Sequence, residues 1–437
     1  MTANGSSQQK TLLFAGAVAV RFALAAALPG LPDFLSGRVE ISTPVTGFKR
    51  LQEGLFLYNH GVSPYDGGVF HQAPLLLSFF SISPDFVQSP LISLAIYTAL
   101  DCLIASLLMQ IVRSGAATQS QSFSSPRRHR TWSPLAVAAS YLLNPFTILT
   151  CLGRPTSVFT TFFVLLATAK ACSGAFISCT FALALAAYTS LHPALLIAPM
   201  ALLCHDRLTT SKQTSNKNSP SLATFGFQFV LAFSGFWAIL LGLSYFLMQD
   251  WSFINSVYGT RLLLPDLTPN VGLWWYFFIE MFDSFRSFFL GVFWLHMASY
   301  SPVITIRLQK QPLAAVVLMC GVFVIFQPYA NVGDAGAFMA MLTLYGHAFE
   351  NYSHLTISVT RYAFTALSTL LYSALLGPAF YYLWIYAGSG NANFFYAITL
   401  VWTLGLVVVT ADVLWAILRD EWETERPEMK GQEARQI

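Results

Sequence analysis

Charged residues are scarce in this sequence. Asp, Glu, Lys and Arg together make up 10% of its 437 residues, whereas hydrophobic residues make up 55%. A typical soluble domain carries roughly 25% charged residues, so this chain has too few charges to cover a water-facing surface. It is also too apolar to remain disordered. These shortages exclude a soluble enzyme and a disordered protein. They favour one polytopic membrane domain over the roughly three domains that length alone suggests.

Net charge is small as well. The 23 Lys and Arg residues exceed the 20 Asp and Glu residues by three. The basic residues lie in short loops rather than on one face, so nothing indicates nucleic-acid binding.

Motifs for catalysis and metal binding are missing from the sequence. It contains no GxSxG, HExxH, P-loop or DxD motif, and its eight histidines lack ligand spacing. The six cysteines fall in or beside apolar runs without CxxC spacing, which is typical of buried small residues. We therefore expect no catalytic residue, no metal site and no cofactor.

Long apolar runs are what the sequence has in abundance. A helix needs about 20 mainly apolar residues to cross a bilayer. Twelve runs approach this length, near 12–29, 89–112, 134–151, 155–172, 174–190, 193–204, 223–248, 272–299, 312–328, 331–349, 361–386 and 393–418. The sequence predicts an all-α fold with about 12 transmembrane or partly embedded helices. A single membrane domain would span 12–418, between an N-terminus at 1–11 and a tail at 419–437.

The basic residues predict the orientation of these spans. Lys and Arg occur in the loops 113–133 and 205–222, at Arg307 and Lys310, at Arg361 and at Arg419. Twelve crossings place all of them on the same side as both termini. Because cytosolic loops are enriched in Lys and Arg, we expect this side, with both termini, to be cytosolic.

The opposite side receives three segments, 30–88, 249–271 and 387–392. The first is too long for a plain connector, so we expect a folded luminal loop with an amphipathic helix over 47–58. Acidic residues in this loop could act as a base or bind a metal, but Asp33, Glu40, Glu53 and Asp66 do not adjoin. The alternative is structural: Arg38, Glu40 and the prolines shape a folded luminal loop.

Polar residues on the luminal side form the candidate ligand site. Tyr258, Asp266 and Asn270 lie in or beside Pro/Asn turns, where helix capping and an aromatic belt are the alternative roles. Asp334 follows a helix-breaking turn, and its two alternative roles are to cap the next helix and to contact a ligand.

A second polar turn carries Ser389, Asn391 and Asn393. Neutral amides suit sugar hydroxyls and phosphate oxygens, because they donate and accept without a desolvated charge. Capping of the last helix by Asn391 or Asn393 is the alternative.

Several motifs resemble one known family. They are 48–50, 53–55, 61–65, 69–71, 144–148, 265–270, 275–278, 332–334, 383–389 and 393–399. Together they resemble the class U subunit of GPI transamidase, from about residue 12 to 420. The last block, Leu383-Trp-Ile-Tyr-Ala-Gly-Ser389 with Asn393-Phe-Phe-Tyr-Ala-Ile-Thr399, is the longest and most specific.

This resemblance implies a multi-pass subunit of the endoplasmic reticulum membrane. It implies a complex with a cysteine-protease-like catalytic subunit and three further membrane subunits, which attaches GPI anchors to proproteins. The subunit itself would be non-catalytic and would recognise or hold the GPI lipid. The residues expected to contact GPI are Asn391, Asn393, Ser389, Asp266, Asn270, Tyr258 and Asp334.

The family is also similar to the multi-span glycosyltransferases that use dolichol-phosphate sugars. Those enzymes carry an acidic pair in the first luminal loop, and the nearest counterpart here, Arg38-Val-Glu40, lacks it. The alternative function is an active dolichol-phosphate-mannose-dependent mannosyltransferase of GPI synthesis, with Glu40 as base. A transporter would need paired mid-span charges or repeated broken helices, and neither is clear in the sequence.

Overall fold

The computed structural model describes residues 3–213, 220–349 and 362–429, which fold into helices joined by turns and loops, with an isolated β-bridge between Gln119 and Ser124. Arg361, part of the predicted loop 205–222 and the end of the predicted tail lie outside these residues. The α-helices are α1 Ala3–Ala27, α2 Leu31–Ser36, α3 Phe48–Asn59, α4 Pro74–Ser81, α5 Asp85–Gln88, α6 Pro90–Arg113, α7 Pro134–Leu142, α8 Pro145–Gly153, α9 Ser157–Cys172, α10 Phe176–Thr189, α11 Ile197–Gln213, α12 Leu222–Met248, α13 Ser252–Ile254, α14 Thr260–Leu263, α15 Trp274–Glu280, α16 Asp283–Arg307, α17 Pro312–Phe326, α18 Val332–Leu342, α19 Gly346–Phe349, α20 Ala363–Ile385 and α21 Ala392–Glu425. The predicted all-α class is confirmed for these residues.

Six of the described helices are long and apolar enough to cross a membrane: α1, α6, α12, α16, α20 and α21. The pair α7 and α8 would make a seventh, although it bends by 53°. The predicted count of twelve spans is not confirmed. Asn144 and Pro145 cause the bend: the Asn144 side chain caps α8, and a proline fits the first turn of a helix but not its interior.

Helix α17 explains why apolar runs overstate the number of spans. It has only 15 residues, and nearly all of them are buried inside the protein, against α11, α16, α18 and α21 among others. A helix that is apolar on every side can be surrounded by protein as well as by lipid, and its sequence is the same in both cases.

The single arginine in the first run is paired inside the bundle. Arg21 of α1 lies 2.7 Å from Asp101 of α6, and both side chains are almost fully buried. Tyr141 of α7 donates a 2.9 Å hydrogen bond to Asp101, and Arg21 donates to the Leu142 carbonyl at 3.1 Å. Because a buried charge is costly unless it is paired, this cluster fixes α1 against its neighbours.

The predicted luminal loop 30–88 is folded into α2 to α5. The predicted helix over 47–58 corresponds to α3, whose apolar face, with Phe48, Leu51 and Leu55, is buried within the protein. At Gly54 the Phe70 ring approaches so closely that a Cβ atom would lie 2.4 Å from it, so only glycine fits here.

The last helix extends further than the sequence predicts. Residues 419–425, expected to begin the tail, continue α21. Asp420 forms a 2.7 Å ion pair with Arg127, and Glu421 accepts from Arg307 at 3.2 Å. These contacts join the end of α21 to the predicted cytosolic loops.

Candidate functional site

The turn between α20 and α21 carries the predicted amide residues. The Leu383 carbonyl accepts 3.0 Å hydrogen bonds from the backbone of Ser389 and Gly390, and Gly388 adopts a φ of 64°, which favours glycine. Asn391 caps α21, since its side-chain oxygen accepts from the Phe394 amide at 3.2 Å. The capping alternative is therefore confirmed for Asn391. We call residues 386–393 the amide turn.

Asn393 is held from outside its own helix. The hydroxyl of Tyr276, on α15, donates a hydrogen bond to the Asn393 side-chain oxygen. The Tyr276 ring stacks on Tyr396 at 4.6 Å, and the Tyr396 hydroxyl donates to the Leu273 carbonyl at 3.1 Å. With its oxygen engaged, the exposed Asn393 amide presents N–H donors to a ligand oxygen.

Aromatic rings pack behind the amide turn. This aromatic wall consists of Trp275, Tyr276, Tyr381, Trp384, Phe395 and Tyr396. Trp275 is buried and stacks on Trp384, with ring centroids 6.1 Å apart. The Arg38 guanidinium lies 5.1 Å from the Tyr381 ring centre, within cation–π range. The turn is thus packed against a layer of aromatic rings.

A cavity of about 440 Å³ lies next to the aromatic wall, and we call it the α20 cavity. It is formed chiefly by α2, α8, α20 and α21, and Phe395 belongs to both the cavity and the wall. Its lining is mainly apolar, including Leu149, Ile398 and Trp402. Cavities of roughly 300–1,000 Å³ with few polar groups are typical of ligand sites.

Arg38 and Glu40 are two of the few polar groups in the α20 cavity. Arg38 donates to both Glu40 oxygens, at 3.0 and 2.6 Å, and both side chains are largely buried. The two side chains therefore bind each other, and their role in shaping the loop stays a prediction. A carboxylate held at both oxygens is poorly placed to take a proton, so the geometry does not favour Glu40 as a base.

The other predicted residues stabilise neighbouring loops. Asn270 is buried, donates to the Pro328 carbonyl at 3.3 Å and accepts from the Gly272 amide at 2.7 Å. Asp266 accepts from the Thr268 amide at 2.8 Å. The buried Tyr258 hydroxyl donates to the Tyr188 carbonyl at 2.9 Å. None of these three side chains forms a hydrogen bond with the amide turn in the part of the chain that the structure describes.

Asp334 lines a second cavity, of about 90 Å³. One of its oxygens accepts 2.8 Å hydrogen bonds from Gln327 and Asn331. Asn331, rather than Asp334, caps α18, because its side chain accepts from the Asp334 amide at 3.0 Å. The N-cap alternative for Asp334 is therefore wrong.

Arg261 also lines this second cavity, and it is not among the residues that the sequence predicts to contact the ligand. Its guanidinium is buried and donates to the Val257 carbonyl at 2.8 Å. Burial lowers the pKa of Arg261 to about 10, so the side chain stays charged at neutral pH. We call this space the arginine cavity. An arginine in a stretch with so few charges was the only signal in the sequence.

The described residues contain no group of three His, Cys, Asp or Glu side chains that could hold a metal ion. The fold and the site together indicate a helical membrane protein in which a polar turn adjoins an apolar, ligand-sized cavity.

Comparison with known proteins identifies the family. A family model described as GPI transamidase subunit PIG-U matches residues 15–402. The human GPI-anchor transamidase component PIGU is 35% identical over 426 residues, which is 94% of each chain. The GPI transamidase component GAB1 of Saccharomyces cerevisiae is 34% identical over 420 residues, 95% of this chain and 96% of that protein. The GAB1 homolog of Schizosaccharomyces pombe is 31% identical over 407 residues, 93% of each chain. The chain belongs to the PIG-U family of GPI transamidase subunits, which confirms the resemblance found in its motifs.

Proposed function

We propose that this chain is a non-catalytic subunit of the GPI transamidase of the endoplasmic reticulum membrane and that it holds the GPI lipid. The acyl chains would occupy the α20 cavity, and the glycan headgroup would contact the amide turn through Asn393, with Ser389 and Asn391 beside it. The observation that carries the proposal is the position of Phe395, which belongs to both the apolar cavity and the aromatic wall behind the turn.

The chemistry of the two regions matches the two ends of a glycolipid. Acyl chains form no hydrogen bonds in the apolar core of a bilayer, and they need none in an apolar cavity. Sugar hydroxyls and phosphate oxygens need donors and acceptors, which an exposed amide supplies without a buried charge. In this proposal Asp266, Asn270 and Tyr258 support the site by fixing its neighbouring loop, and Asp334 belongs to the separate arginine cavity.

The peptide chemistry would reside in a partner. Five of the six cysteines are buried, as expected for packing rather than reactivity. We propose that a cysteine-protease-like subunit performs the transamidation, that three further membrane subunits complete the complex, and that both termini of this chain are cytosolic.

The proposal is tested by expressing Asn393→Ala in cells that lack the wild-type chain. We expect complete GPI and uncleaved proprotein to accumulate, while the variant still co-purifies with a cysteine-protease-like subunit. Alanine is favourable in a helix, so α21 remains intact. Asn59→Ala is the matched control, because it removes an exposed asparagine at the end of α3, outside the amide turn. Normal anchor attachment in Asn393→Ala would reject the amide turn as the headgroup site, and truncated GPI glycans would indicate a mannosyltransferase.

A further inference from the structure

Arg261 differs from the other buried arginines of the described chain. Arg21, Arg38, Arg127 and Arg154 each form an ion pair, with nitrogen to oxygen distances of 2.7, 2.6, 2.7 and 3.1 Å. Arg261 has no carboxylate within 4.0 Å among the described residues, and its one hydrogen bond goes to a backbone carbonyl. A buried charge without a counterion is costly, so this guanidinium is suited to an anion from outside the chain.

A carboxylate lies in the same cavity without meeting this arginine. Asp334 and Arg261 both line the arginine cavity, yet they form no ion pair. One Asp334 oxygen accepts two amide hydrogen bonds, while the other has only a 3.5 Å contact with the Thr161 hydroxyl. Arg261 and Asp334 therefore supply a positive and a negative group to the same cavity without neutralising each other in an ion pair.

Gln72 gives an independent sign of a ligand. Its side chain is 2% exposed and lines the arginine cavity. The nitrogen donates to the Gly47 carbonyl at 2.8 Å, whereas the buried oxygen has no hydrogen-bond partner. Because a buried acceptor without a partner costs free energy, this oxygen is suited to an N–H donor that enters the cavity.

We propose that the arginine cavity binds a zwitterionic phosphoethanolamine group. The phosphate oxygens would accept from Arg261, and the ammonium would donate to Asp334 and to the Gln72 oxygen. A neutral sugar would leave Arg261 without a counterion. A simple anion would leave the Gln72 acceptor unused, and a choline headgroup has no N–H to donate. About 90 Å³ suits one small polar group rather than a glycan chain.

This chemistry has two sources in a membrane, the headgroup of phosphatidylethanolamine and an ethanolamine phosphate carried by GPI. Because the arginine cavity is separate from the α20 cavity, the site holds whether or not the proposed GPI site is correct.

The test measures lipid retention by the whole purified complex. The complex is equilibrated in nanodiscs with equal amounts of phosphatidylethanolamine, phosphatidylcholine and phosphatidylglycerol, washed with detergent, and analysed by native mass spectrometry. In wild type we expect phosphatidylethanolamine to be retained over the other two lipids. Arg261→Gln and Asp334→Asn should each reduce this preference at least fivefold. Arg307→Gln, which changes an exposed arginine, is the control and should leave it unchanged.

Three results would overturn the proposal. One is equal retention of the three lipids by wild type. Another is a reduced preference for phosphatidylethanolamine in Arg261→Gln but not in Asp334→Asn, which indicates a simple anion site. The third is unfolding of Arg261→Gln, because a side chain without an internal counterion should be replaceable at little cost in thermal stability. GPI that stays bound from the cells in which the complex is made is distinguished from phosphatidylethanolamine by its mass. Loss of GPI in Asn393→Ala but not in Arg261→Gln would assign the site to phosphatidylethanolamine.

Discussion

Tyr276 donates a hydrogen bond from its hydroxyl to the side-chain oxygen of Asn393, 117 residues further along the chain. This contact joins α15 to the first turn of α21 and sets the orientation of the Asn393 amide. If that amide contacts the GPI headgroup, then Tyr276 positions a binding group without having to touch the lipid.

Replacing Tyr276 with phenylalanine tests this positioning role. The ring and its stacking on Tyr396 are kept, and only the hydroxyl is lost. A hydrogen bond contributes about 1 kcal/mol, so we expect GPI binding to weaken by about fivefold. The measurement is the amount of GPI that co-purifies with the complex. Tyr372→Phe, on the exposed side of α20, is the control; an equal loss in both variants would contradict the role of Tyr276.

Gly377 is a position at which a larger side chain would occupy the α20 cavity. It lies on α20 and lines the cavity, and a Cβ atom there would meet only Ile398, at 3.5 Å. Gly377→Ala should therefore be tolerated and should gain helix stability of about 1 kcal/mol. Gly377→Phe places a ring in the cavity, and we expect anchor attachment to fall at least tenfold without loss of assembly. Equal attachment in the two variants would show that the cavity does not hold the lipid.

The ion pair between Arg21 and Asp101 should be important for folding. Asp101→Ala leaves Arg21 buried without its partner, which costs about 3–5 kcal/mol. We expect a clearly lower melting temperature in detergent and a lower level of the chain in cells. Replacing both residues together, by Arg21→Met and Asp101→Leu, should recover much of the loss. A double variant as unstable as the single one would contradict this explanation.

His71 should make the folded loop sensitive to acid. Burial lowers the pKa of His71, whose ring nitrogen lies 2.9 Å from the Ser256 carbonyl. Because the folded pKa is below the unfolded value of about 6.5, stability is complete above pH 6.5 and decreases as the pH falls towards the folded pKa. When the pH is lowered from 7.5 to 5.5, we expect the melting temperature to fall less in His71→Gln than in wild type. The exposed His60→Gln is the control, and an unchanged pH dependence in His71→Gln would reject this source of acid sensitivity.

Local signals in the sequence predict much of the fold. The scarcity of charge predicts the helical membrane class, and the periodicity of 47–58 predicts α3. Asn391 is an N-cap, as its residue type suggests. Arg38 and Glu40 form an ion pair, which their separation of only two residues in the sequence allows. Each of these features depends on composition or on residues that are close in sequence.

The number of spans and the composition of the site depend on contacts that local signals do not contain. An apolar run such as α17 is the same whether protein or lipid surrounds it. Asn393 depends on Tyr276, and the arginine cavity brings together Gln72, Arg261 and Asp334 from three distant segments. Such juxtapositions arise only when the helices pack, so they cannot be predicted from a single sequence.

The most direct test of the central claim is photo-crosslinking from inside the α20 cavity. A benzophenone-bearing phenylalanine replaces Tyr382, whose side chain lines the cavity, or Tyr372 on the same helix, which is equally exposed at 57% but does not line the cavity. After irradiation in native membranes, the adducts on the chain are identified by mass spectrometry. We expect GPI to be enriched over bulk phospholipid at position 382 and not at 372. Bulk phospholipid at both positions, without GPI enrichment at 382, would contradict the proposal that this chain holds the GPI lipid in the α20 cavity.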